Sequence, residues 1–173
     1  MNELERTFLA KFLPDGLKRC RSIEIVDIYI PKSVVHPKIR IRKIGNRFEL
    51  TKKTPVCEGD SSHQVEQTID LTEHEFNELS KLGGKVLHKT RYFYDRGGRV
   101  AEFGVYEGSL KGLVLIDFEF KTAKTKNKFR MPSFCLADVT QEEFCAGGSL
   151  SGKRYADIAK YLKKFGYRKI PFK

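Results

Sequence analysis

Alternation of polar, often charged, side chains with apolar ones recurs many times along the first two thirds of the chain, and a period of two belongs to extended strands. The segments 2–11, 22–30, 37–44, 46–54, 63–69, 85–95, 99–106 and 112–121 read as strands, with Gly45-Asn46 and Arg96-Gly97-Gly98 as hairpin turns. Helical periodicity is confined to two pieces. Thr72 with Glu75 three residues later forms a capping box, and Phe76, Leu79 and Leu82 share the apolar face that follows. A second helix is predicted over 152–166, with Tyr155, Ile158, Ala159 and Leu162 inward. The stretch 122–151 reads as irregular, with a short helix after Thr140. Eight mostly antiparallel strands in one flat sheet would leave long exposed edges, so the predicted fold is α+β, mainly β: an eight-stranded antiparallel closed barrel with peripheral helices. At 173 residues the whole chain, 1–173, reads as one domain.

Residues two apart on a strand share a face, and this parity sorts the charges. Glu3 and Glu5 fall together opposite Leu4, Arg6 and Phe8; Arg40 and Arg42 fall opposite Ile39 and Ile41; Glu49, Thr51 and Lys53 oppose Phe48 and Leu50. Further on, Glu66 opposes Val65, Lys89 and Arg91 oppose Thr90 and Tyr92, Glu102 opposes Phe103, and Asp117 and Glu119 oppose Ile116 and Phe118. Every strand but the second offers a charged face. An ordinary solvent face mixes signs, whereas here acids gather on the first, seventh and eighth strands and bases on the third and sixth. Such segregation fits a wet bore, because burying these charges dry would cost several kcal/mol each.

The net charge of +11 points to a polyanionic ligand. Lys121 to Arg130 and the tail from Lys163 to Lys173 account for part of the excess as solvated surface. Hard divalent cations take carboxylate and phosphate oxygens, which Glu3, Glu5 and Glu119 are suited to share with a ligand. Arginine forks and lysine point charges hold phosphate, which suits Arg40, Arg42, Lys53, Lys89 and Arg91. Nucleic acid is the competing explanation of the charge, but the strand aromatics alternate into the core and form no stacking platform. Neither the four cysteines (Cys20, Cys57, Cys135, Cys145) nor the four histidines (His36, His63, His74, His88) have metal-ligand or triad spacing. No run reaches the ~18 apolar residues of a membrane span, and the acids at the N-terminus are unlike an export signal, so the expected location is cytoplasmic.

The run Glu3-Leu4-Glu5-Arg6-Thr7-Phe8-Leu9 resembles the Glu-x-Glu-x-Lys opening of the CYTH, or triphosphate tunnel metalloenzyme, family. Arg40-Ile41-Arg42 is similar to its paired arginines, Leu50-Thr51-Lys52-Lys53 to its Leu-Thr-x-Lys, and Gln64-Val65-Glu66 to its Glu-x-Glu before the helix. Lys89-Thr90-Arg91 resembles the Lys-x-Arg strand, Glu102-Phe103-Gly104-Val105-Tyr106 the Glu-x-Asp-x-Phe strand, and Asp117-Phe118-Glu119 the second Glu-x-Glu. Asp138-Val139-Thr140 and Arg154-Tyr155 resemble the closing motifs.

The resemblance implies an eight-stranded tunnel that, with Mg2+ or Mn2+, hydrolyses a triphosphate: inorganic tripolyphosphate first, with thiamine triphosphate or ATP cyclisation as alternatives. In that reading Glu5 and Lys53 are catalytic; Arg40, Arg42, Lys53, Lys89, Arg91 and Arg154 bind the substrate; Glu3, Glu5 and Glu119 hold metal. Glu66, Glu102 and Asp117 are supporting tunnel acids. The expected partner is a triphosphate-containing small molecule, tripolyphosphate or a nucleotide, with no nucleic acid and no membrane, and the protein a monomer or homodimer. Four departures stand against the family pattern: Thr7 replaces the motif lysine, Gln64 and Gly104 replace acids, and Asp117 shortens a glutamate. They motivate the alternative of a non-catalytic module that binds polyphosphate or nucleotide in the same bore.

Overall fold

In the computed structural model, which describes residues 2–172, all eight predicted strands form, and their register closes them into a barrel. They are β1 Asn2–Ala10, β2 Ser22–Ile30, β3 Ile39–Ile44, β4 Arg47–Pro55, β5 His63–Leu71, β6 Lys85–Asp95, β7 Val100–Tyr106 and β8 Val114–Glu119. Neighbours are antiparallel in the order β5-β4-β3-β2-β6-β7-β8-β1, and β1 returns to β5. At the β3–β4 hairpin Ile44 faces Arg47 across a two-residue loop, which Gly45 permits by adopting a positive φ of 56°.

The stretch expected to be irregular contains a ninth strand, β9 (Cys135–Asp138), too short for its alternation to register as a pattern. It shares one edge of β1 with β5: Asn2–Leu4 pair with β5, whereas Phe8–Ala10 pair with β9. The helices are α1 (Glu73–Ser80), α2 (Ala123–Asn127), α3 (Gly147–Leu150) and α4 (Tyr155–Lys164). The capping box at Thr72 forms as predicted and Phe76 is buried. Leu82 is not part of the apolar face: α1 ends at Ser80, Gly83 follows with φ 71°, and Leu82 is left 70% exposed. The second predicted helix is shorter than 152–166 because the pairing of Arg154 with Asp157 starts it at Tyr155. No described helix is long and apolar enough to cross a membrane.

The barrel is polar within and apolar without. Phe8, Phe103, Ile116 and Phe118 point away from the bore, and segments outside the barrel cover them with Leu17, Phe134 and Phe129. Each such side chain, fully buried, contributes on the order of 2 kcal/mol. A second apolar cluster sits on the bore side of the same strands: Leu9, Tyr29, Leu87, Tyr106 and Leu115 meet Leu150, Ile158 and Leu162 of α3 and α4. By strand parity these residues continue the rows of Thr7, Asp27, Lys89, Gly104 and Asp117, so one end of the bore is plugged and the charged rows lie toward the other. The plug is close-fitting: a Cβ at Gly147 would stand 2.1 Å from the Tyr29 hydroxyl.

Candidate active site

Strand register, set by the hydrophobic outer face, decides which charges meet inside. Opposite one another across strand pairs lie Glu5 and Glu119, Thr7 and Asp117, Glu102 and Asp117, Arg42 and Asp27, and Lys53 and Glu66. These pairings bring together Glu3, Glu5, Arg40, Arg42, Lys53, Glu66, Lys89, Arg91, Glu102, Asp117 and Glu119 around one bore. Arg154 does not join them: it caps α4 at the surface, its side chain 76% exposed and paired with Asp157 at 3.1 Å. The Arg-Tyr dipeptide that resembles a closing motif is a helix start here.

The bases are held in a network. Lys53 is ion-paired with Glu3 and, at 3.0 Å, with Glu66; Arg91 meets Glu102 at 2.6 Å. Arg42 grips Asp27 with two hydrogen bonds of 2.6 and 2.9 Å, and Arg40 lies 3.6 Å from the same carboxylate. Asp27 is a site residue that the charge patterning does not reveal, since the second strand reads as lacking a charged face. Its signal is faint: one acid between Ile25 and Tyr29 on a single face of a β-branched run. Burial works to raise its pKa, but Arg42 and then Arg40 and Lys89 outweigh that, and it falls to about 2.

On the acidic side, oxygens of Glu3, Glu5 and Glu119 lie within 4.8 Å of one another. Burial first, then Asp117 and Glu3 against the opposing pull of Lys53, push the Glu5 carboxyl up to about 8. Three crowded carboxylates that share Lys53 as a neighbouring cation, with hard oxygen donors and an exposed third member, fit a divalent cation such as Mg2+ or Mn2+. Thr7, at the position of the motif lysine, donates its hydroxyl proton to Asp117 at 2.8 Å and lies 3.3 Å from Glu5. It satisfies an acid locally and supplies no charge.

Lys89 is buried, and burial followed by the neighbouring charge of Arg91 lowers its pKa to about 8. Its side chain lies against Gly104, where a Cβ would stand 3.4 Å from its Cδ and 3.6 Å from its Nζ. The glycine that replaces an expected acid is therefore the floor on which this lysine rests. Among the described residues, two buried guanidinium nitrogens, Nε of Arg40 and Nε of Arg91, have no hydrogen-bond partner, the first lying 3.6 Å from Asp27, beyond hydrogen-bond reach. A buried donor without an acceptor is costly, and an anion in the bore would satisfy it.

Fold and site together define an antiparallel β-tunnel with facing rows of bases and acids. The chain is similar to an inorganic triphosphatase of Nitrosomonas europaea, with 30% identity over 145 residues that span 83% of this chain and 92% of that relative. A crystal structure of an inorganic triphosphatase superposes with a TM-score of 0.64 at 24% identity, over 87% of this chain and 95% of that one. A conserved protein of Pyrococcus furiosus shares the fold with a TM-score of 0.51 at 20% identity, over 96% of this chain and 92% of that one. No family model matches the chain. At this identity and coverage the chain belongs to the CYTH, or triphosphate tunnel, family.

Proposed function

We propose that the protein hydrolyses the terminal phosphoanhydride of a triphosphate, inorganic tripolyphosphate in the first place, with the triphosphate held in the charged half of the bore. The observation that carries this reading is the pair of orphaned nitrogens on Arg40 and Arg91, buried donors in a bore whose opposite wall is a trio of carboxylates. The relative named inorganic triphosphatase supports it.

Arg40, Arg42, Lys53 and Arg91 would bind and orient the phosphates, since each keeps donors beyond those spent on Asp27, Glu66 and Glu102. Glu3, Glu5 and Glu119 would hold the cation, Mg2+ or Mn2+. When bound, it would neutralise phosphate charge that the acids would otherwise repel, and polarise a phosphoryl oxygen. Lys89 is suited to take the proton: with its pKa near 8 it is partly neutral at physiological pH, and its Nζ can accept a proton from the attacking water. The water oxygen then bonds to the terminal phosphorus as the bridging P–O bond breaks, and orthophosphate and pyrophosphate leave. Glu66, Glu102 and Asp117 keep Lys53, Arg91 and Thr7 in place. Lys53, paired with both Glu3 and Glu66, links the acidic and basic rows, so its loss is expected to disturb metal and phosphate together.

The location in the cytoplasm, the single domain and a monomeric or dimeric state belong to the same reading; four free thiols suit a reducing compartment. The test is phosphate release from tripolyphosphate, ATP and thiamine triphosphate, each with Mg2+ or Mn2+. Release fastest from tripolyphosphate is expected. Binding of tripolyphosphate without release under any condition would select the non-catalytic module, the reading favoured by the missing charge at Thr7.

A further inference from the structure

The second strand reads as lacking a charged face, yet the residue just before it brings a charge to the bore. The Phe93 backbone N–H donates to the Arg21 carbonyl at 2.9 Å, so the β2–β6 ladder, in which Ile23 faces Arg91, runs one step further and sets Arg21 beside Phe93. Phe93 follows Lys89 and Arg91 at every second position of β6, and on the other side it stands opposite Glu102 of β7. Its ring therefore belongs to the bore wall. The packing agrees, since Tyr92 and Tyr94 lie against the outer apolar cluster whereas Phe93 joins neither cluster.

The same row gives the direction. Leu87 is part of the plug, so Lys89, Arg91 and Phe93 lead from the plug to the open end, and Phe93 stands roughly 7 Å of strand beyond Arg91. The guanidinium of the exposed Arg21 lies over this half-buried ring, 3.9 Å from its centroid and well inside the ~6 Å within which a cation is drawn to a ring face. Among the described residues Arg21 has no ion pair, in contrast to Arg42, Lys53 and Arg91. A neutral ring fixes its position without consuming its charge, and N–H donors remain for an anion.

The rest of this part of the wall is apolar. Ile23, on the row of Asp27, and Ile44, on the row of Arg42, offer no hydrogen bond, which leaves Arg21 to meet a ligand there. Strand tilt shortens the step from Arg91 along the bore axis, so a phosphate one unit outward from the one at Arg91 comes up beside Arg21. In inorganic tripolyphosphate that outer group is terminal, with three unesterified oxygens. In a nucleoside triphosphate it is esterified, carries less charge, and brings a nucleoside into the space that Arg21 fills over the ring. A guanidinium fork favours the first.

We propose that Arg21, held on Phe93, is a specificity-determining residue at the mouth: it binds the outer terminal phosphate of an inorganic triphosphate and so disfavours nucleoside triphosphates. The proposal rests on the bore as the triphosphate site, and Phe93 acts only by positioning Arg21. The test measures kcat, KM and the dissociation constant for tripolyphosphate and for ATP, each with Mg2+ or Mn2+, in wild type, Arg21→Gln, Phe93→Leu and Arg47→Gln. Arg47 is the control for charge alone: it is exposed on the bore row of β4, faces Ile44 across the hairpin, and among the described residues has no ring beneath it. Arg21→Gln is expected to raise KM and the dissociation constant for tripolyphosphate at least about tenfold, with kcat and the values for ATP within about threefold. Phe93→Leu keeps apolar volume but removes the ring face, and should shift the same constants in the same direction by a smaller factor.

Arg21→Gln acting equally on tripolyphosphate and ATP, or on neither, overturns the assignment while leaving the bore as the phosphate site. An equal effect of Arg47→Gln overturns it in favour of unspecific charge at the mouth. Phe93→Leu weakening ATP more than tripolyphosphate overturns it as well, because the ring would then be a stacking surface for the base. Wild type that binds tripolyphosphate without hydrolysing it contradicts the enzymatic reading, and the dissociation constants still judge Arg21. Wild type that binds neither ligand overturns the bore reading and Arg21 with it.

Discussion

Asp27 is one carboxylate shared by two guanidinium groups at the base of the charged bore, and Asp27→Asn would leave Arg40 and Arg42 without their common counter-ion. Removing one partner of a buried pair costs about 3 kcal/mol or more, so chemical denaturation should show a loss of that size, part of it recovered when tripolyphosphate is added. A loss below about 1 kcal/mol would mean that the arginines are less dependent on Asp27 than their geometry implies. Glu5 makes a pH prediction. Its folded pKa of about 8 is above the unfolded value near 4.5, so between those values the folded protein holds a proton that the unfolded chain has released. Without metal, stability should therefore fall as pH rises from about 4.5 through about 8. Mn2+ must expel that proton, so its affinity should rise with pH up to about 8 and level off above. Titrations with Mn2+ between pH 6 and 9, with Glu5→Gln as the flat control, read this directly. Lys89 has the opposite sign of effect: its lowered pKa means that stability rises as pH passes upward from about 8, where the folded form has shed the proton that the unfolded chain still holds.

Among the elements, the strands are legible in the sequence because each carries its own alternation, and parity alone places Glu3, Glu5, Arg40, Arg42, Lys53, Glu66, Lys89, Arg91, Glu102, Asp117 and Glu119 on the faces that the register then turns together. Asp27 is not legible, because one acid in an apolar run has no companion two residues away and its role emerges only when register sets Arg42 beside it. β9 is hidden for a related reason: four residues hold one tertiary pairing, to β1, and little local pattern. Nor can parity foresee that Lys89 settles on Gly104, because that contact joins β6 to β7 across the sheet. Arg154 misleads because its dipeptide has a local role, pairing with Asp157 at a helix start, that is common on any surface. The Thr72 side chain accepts from the Glu75 backbone N–H while Glu75 reaches back to Thr72, so Thr72→Ala should cost about 1 kcal/mol by chemical denaturation and leave phosphate release unchanged.

For the whole molecule, the inversion of the barrel is the fact from which the rest follows. Phe8, Phe103, Ile116 and Phe118 find their core outside the barrel, among covering segments and helices, and this frees the interior for charge. The plug of Leu9, Tyr106 and Leu115 then makes the bore a pocket with one end closed, suited to the end of a phosphate chain. Departures from the family pattern are local within this frame: Thr7 binds Asp117, and Gly104 makes room for Lys89. The central claim is that the facing rows of bases and acids turn over a triphosphate. The measurement that tests it most directly is the rate of phosphate release from tripolyphosphate with Mg2+ or Mn2+, for wild type beside Glu5→Gln and Lys53→Ala. Release by wild type that falls by at least about a hundredfold in both variants is the predicted result; release that survives in both, or none from wild type, would contradict it.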